Sequence, residues 1–70
     1  MERIPVQSTE IAVIGYDSHK SLLEVAFRRG GVYRYRGVPQ DVHQQLMAAP
    51  SMGTYFSQNI KETYHFTKVA

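Results

Sequence analysis

The chain has no cysteine. No disulfide can brace it and no thiolate can hold a metal, a usage compatible with a reducing cytoplasm. Long apolar runs are missing too, and none approaches the roughly 20 residues needed to span a bilayer. The opening Met1-Glu2-Arg3-Ile4-Pro5 lacks the apolar segment of a secretory signal. A cytoplasmic protein without membrane association is therefore expected. At 70 residues the chain makes one domain at most. A chain this short buries only about 60% of its unfolded surface, so the core is small. Internal repeats and low-complexity tracts are absent, and 43% hydrophobic with 20% charged residues is an ordinary globular composition.

Signals for catalysis are sparse. No glycine-framed elbow surrounds Ser51 or Ser57, and the six acids are scattered along the chain. His19, His43 and His65 lack the i, i+4 spacing of a helical metal pair. A nucleophile needs an adjacent base and a third group to orient that base, and no such set is visible. Gly30-Gly31 precedes a strand pattern rather than a helix whose N-terminus holds a phosphate. The expectation is a non-enzymatic protein with no cofactor and no metal.

Acids are also missing between Glu24 and Asp41, and that gap contains four of the eight Lys and Arg residues, Arg28, Arg29, Arg34 and Arg36. The net charge is only +2, so the clustering matters more than the total. In Val32-Tyr33-Arg34-Tyr35-Arg36, tyrosine and arginine alternate with the period of a strand. Alternation sends Tyr33 and Tyr35 to one sheet face and Arg34 and Arg36 to the other.

Residues 1–7 carry Pro5 and no periodicity, and read as a loose arm ahead of a single domain over residues 8–70. Glu10 to Tyr16 and Leu22 to Arg28 fit two strands, joined by a turn in which Asp17 bonds backbone amides ahead of it. Gly30-Gly31 marks the next turn. A strict two-residue loop pairs Phe27 with Arg34. A three-residue loop with a bulge at Gly31 pairs Phe27 with Tyr33 and Val25 with Tyr35, and is favoured because it gathers the large apolar groups on one face. Pro39 suits the first position of a helix whose stripe is Val38, Val42, Leu46 and Ala49, and Pro50 ends that helix. Ser51 then caps a second helix whose Met52, Phe56, Ile60 and Tyr64 recur every four residues, with Gly53 lowering local propensity. The tail from Tyr64 to Val69 is β-prone, with room for a short edge strand. The expected fold is α+β: a three-stranded antiparallel meander followed by two short helices packed on one face.

The run Ile14-Gly15-Tyr16-Asp17, Leu23-x-Val25-x-Phe27, Gly31-Val32-Tyr33-Arg34-Tyr35 and Val38-Pro39 resembles the KTSC domain. Its second half is similar to Ala49-Pro50-Ser51-Met52-Gly53-Thr54-Tyr55-Phe56 followed by Ile60-Lys61. The family takes its name from the C-terminal domain of some lysyl-tRNA synthetases and also occurs as free-standing small bacterial proteins. The resemblance covers residues 8–65 and implies no catalytic residues and no cofactor. It adds RNA to the partners under consideration.

Arginine forks match phosphate oxygens, and aromatic faces stack on unpaired bases. The expected function is accordingly a small module that binds RNA or single-stranded nucleic acid through Arg28, Arg29, Tyr33, Arg34, Tyr35, Arg36 and Lys61. The structural alternative leaves Tyr33 and Tyr35 at the core edge with wet hydroxyls, and pairs Arg34 or Arg36 with Glu24 across the hairpin. A second functional class is a protein-interaction module that docks on a larger partner through Leu22, Ala26 and Val32 on the open sheet face, or through a strand edge. A monomer or weak homodimer fits either.

Overall fold

A computed structural model describes all 70 residues. Five antiparallel strands follow one another across a single sheet in chain order. They are β1 (Glu2–Pro5), β2 (Ile11–Asp17), β3 (Leu22–Phe27), β4 (Val32–Arg36) and β5 (Phe66–Lys68). Helices α1 (Gln40–Ala48) and α2 (Met52–Asn59) lie between β4 and β5 and cover one face. No helix is long and apolar enough to cross a membrane.

The arm expected to be loose is an edge strand, with Ile4 opposite Ile14 and Arg3 opposite Gly15. Pro5 is compatible with it because it stands at the strand's last position on a sheet edge, where proline is tolerated. The meander therefore has four strands before the helices. The tail supplies the fifth, which pairs Tyr35 with Phe66 and Tyr33 with Lys68. In β2 a bulge between Ile11 and Val13 turns both Ile11 and Ile14 into the core, although they stand an odd three positions apart. The turn to β3 is built as its sequence predicts, with Asp17 Oδ1 accepting the His19 and Lys20 amides at 3.0 and 3.2 Å.

In the β3–β4 hairpin, Val25 faces Tyr33 and Leu23 faces Tyr35. Tyrosines and apolar residues share a face, as the favoured three-residue loop requires, but the pairing lies two residues from the expected register. The loop is Arg28-Arg29-Gly30, closed by the Phe27 amide donating to the Gly31 carbonyl at 3.0 Å. Arg28 is drawn out of the ladder instead. Its amide donates to Glu10 O at 2.9 Å, and its guanidinium donates to the carbonyls of Val6 and Ser8. Gly30 and Gly31 both take positive φ, +113° and +92°, a conformation that glycine adopts without a Cβ clash.

Pro39 is the cap of α1 rather than its first helical residue, and its carbonyl accepts the Val42 and His43 amides. Ser51 caps α2, its hydroxyl oxygen accepting the Thr54 amide at 3.3 Å. Val38 and Leu46 around α1, and Phe56 and Ile60 around α2, close over Ile11, Ile14, Leu23, Val25 and Tyr35 to form the core.

Candidate functional site

The register sorts the side chains of the sheet. On the face away from the helices, one row across the strands reads Arg3, Gly15, Glu24, Arg34 and Thr67. Glu24 is only 6% exposed. Its carboxylate accepts from Arg34 Nε at 2.9 Å and from Arg3 Nε on the other side. Arg3 reaches it across Gly15, where a Cβ would stand 3.2 Å from the arginine Cγ. The Arg3 hydrogen bond, with a further one from Arg34, holds the Glu24 carboxyl below its ordinary value against the opposing pull of burial. Arg36 extends from the same face unpaired. The bare face is thus not a continuous cationic surface: a carboxylate sits between two of its arginines. No aromatic ring lies on it, because Tyr16, Phe27, Tyr33, Tyr35 and Phe66 all project to the helix side.

On the helix side, near α2, a cleft of about 710 Å³ opens between that helix, the 28–30 turn and β5. Phe27, Tyr33, Tyr35, Phe56 and Phe66 are its aromatic lining. Tyr33 meets Phe27 and Phe66 edge-on at 5.7 and 5.5 Å between centroids, and Tyr35 lies 5.3 Å from Phe56. Tyr35 is buried, which pushes its phenol up from the ordinary value with a lesser effect from Tyr33. Tyr33 is half-buried, and Phe66 is 54% exposed. Arg29 and Lys61 lie among the cleft residues without ion pairs, and so do Glu10 and Glu62. Lys68, opposite Tyr33 on β5, stands close by.

Four of the seven residues singled out from sequence therefore meet in one cleft: Arg29, Tyr33, Tyr35 and Lys61. Arg34 and Arg36 lie on the opposite sheet face, and Arg34 is engaged by Glu24. Arg28 clamps the backbone of the segment before β2. Sequence reasoning missed Phe66, Lys68 and Glu10. The signal for the first two was the alternation in the β-prone tail, which places both on the tyrosine face once it is paired with β4.

A second, smaller hollow of about 180 Å³ lies between β1 and α1 and contains His43. The imidazole stacks flat on Tyr16, with centroids 4.4 Å apart and planes 8° from parallel. The Tyr16 hydroxyl donates to Val38 O at 2.6 Å. Burial holds His43 below its ordinary value and raises Tyr16.

A family model described as the KTSC domain matches residues 7–64. A protein of Stutzerimonas stutzeri with no characterised role is 40% identical over 65 residues, 93% of this chain and 92% of that one. A lysine–tRNA ligase of Nostoc punctiforme is 31% identical over 64 residues, which are 91% of this chain but 11% of the ligase. The crystal structure of a KTSC domain protein from Yersinia pestis superposes with a TM-score of 0.96 at 42% identity, covering 99% of this chain and 97% of that one.

Proposed function

This chain belongs to the KTSC domain family, and from that premise we propose that it is a non-enzymatic module that binds single-stranded nucleic acid, RNA foremost, in the cleft beside α2. The observation that carries the reading is the accessible ring of Phe66 beside Tyr33, in a cleft where Arg29 and Lys61 have no ion-pair partner. Rings of this kind stack on unpaired bases without sequence preference, at about 1–3 kcal/mol per base, while cations track the backbone. The presence of a similar segment in a ligase that acts on tRNA supports RNA as the polymer. This reading puts the work of the protein in the cytoplasm.

The charge in the cleft is modest, so affinity comes mainly from stacking. Phosphate contacts by Arg29, Lys61 and Lys68, at about 0.7 each for single strands, give a salt slope of about 2. Fluorescence anisotropy with a labelled oligouridylate at a series of salt concentrations tests this. Arg29→Ala and Lys61→Ala should each weaken binding and flatten the slope, whereas Arg36→Ala on the other face should leave both unchanged. No binding at low salt, or a loss specific to Arg36→Ala, defeats the proposal.

A second reading rests on the bare face, where Val13, Ala26 and Val32 stand side by side across three strands. That row fits a protein partner. A partner recovered after nuclease treatment and lost on Ala26→Glu is the result that favours this reading over the first.

A further inference from the structure

The two carboxylates in the cleft are costly beside phosphates, because Glu10 and Glu62 match Arg29 and Lys61 charge for charge. Glu10 is also positioned. Its amide donates to Ser8 Oγ at 3.3 Å, its carbonyl accepts from the Arg28 amide at 2.9 Å, and Arg28 holds the preceding carbonyls of Val6 and Ser8. The Glu10 side chain lies over Gly53 in the first turn of α2, in space that a Cβ at position 53 would take from its carboxylate. These bonds fix the Glu10 backbone, and its exposed carboxylate, with no ion pair and no side-chain hydrogen bond, lies against Gly53 at the edge of the aromatic cleft. The volume of about 710 Å³ falls within the range of about 300–1,000 Å³ typical of small-ligand sites.

We infer that this cleft admits one unpaired guanine base and that the Glu10 carboxylate reads its Watson–Crick edge. The inference rests on the single-stranded nucleic-acid reading of the same cleft. An ionised carboxylate is acceptor-only, with two oxygens that take a pair of parallel N–H donors. Guanine alone presents two adjacent donors on that edge, the ring N1–H and the exocyclic N2–H. Adenine and cytosine set an acceptor beside their amino group, and uracil flanks its single N–H with two carbonyls, so each turns an oxygen or a lone-pair nitrogen toward the carboxylate. Unpaired RNA bases expose this edge for readout. The rings of Tyr33 and Phe66 supply the stacking surface, and Arg29 and Lys61 take the flanking phosphates.

Anisotropy titrations with UUGUU, UUAUU, UUCUU and UUUUU are the test, on wild type and on Glu10→Gln and Glu62→Gln. Wild type should bind UUGUU about tenfold tighter than the other three, the scale of one bidentate base contact. Glu10→Gln should abolish that preference while UUUUU binds equally or slightly tighter, since a negative charge has been removed. Glu62→Gln should keep the preference. Equal affinity for all four oligomers overturns the guanine inference and leaves the nucleic-acid reading standing. Absence of binding to any of them overturns both. A preference that survives Glu10→Gln, or a uniform loss of binding in that variant, overturns the assignment to Glu10.

Discussion

Glu24 is tolerated inside the sheet because two guanidinium groups meet its carboxylate, one from each neighbouring side. Part of this was legible: Glu24 and Arg34 lie on facing strands of a hairpin visible in the sequence. Arg3 was not, because its role depends on β1 being a strand and on Gly15 leaving a gap between them. The consequence is a pH-dependent contribution to stability. With the carboxyl held below its ordinary value in the fold, the contribution is complete above the unfolded glutamate value of about 4.3 and is lost as pH falls through the depressed folded value. Glu24→Gln should cost about 1–2 kcal/mol at neutral pH, a charged hydrogen-bond loss discounted for the half-exposed arginines. Urea denaturation of both proteins should show the gap narrowing as pH drops below about 4. A gap that stays constant with pH would place the loss in packing rather than in the ion pairs.

Among the elements, the helices were the most readable, because capping and the spacings of Val42 to Leu46 and Met52 to Phe56 are local, although α1 stops before Ala49 and α2 before Ile60 and Tyr64. Ser51 caps α2 as its position before Met52 implies, and Ser51→Ala should cost about 1 kcal/mol. In a domain of this size that lowers the melting temperature by about 4–8 °C, readable by circular dichroism. An unchanged melting temperature would mean that α2 is held by Phe56 and Ile60 alone. The strands were harder. The side-chain parity of the β3–β4 hairpin follows from grouping apolar residues, but its register was settled by Arg28, which leaves the ladder to bond the backbone of residues 6–10. That is a tertiary contact, and nothing in residues 28–31 alone reveals it. The edge strand β1 was hidden for a related reason: its four residues are all exposed and include a proline, so no apolar alternation marks it.

At the scale of the molecule, the sheet keeps its aromatic rings on the helix side and its paired arginines on the other. Alternation in β4 made this separation legible. What it left open was where rings and unpaired cations meet. A stacking site needs rings and cations together, and only folding the tail back as β5 brings Phe66 to Tyr33, while the segment after α2 brings Lys61 into the cleft that Arg29 also lines. The cleft is therefore a property of the assembled layers, built from segments distant in the chain. Its claim on single-stranded RNA is tested most directly by ¹⁵N chemical-shift mapping during titration with UUGUU. Shifts concentrated at Arg29, Tyr33, Ser57, Lys61 and Phe66 are expected. Shifts confined to Arg3, Glu24, Arg34 and Arg36, with the cleft silent, would contradict it.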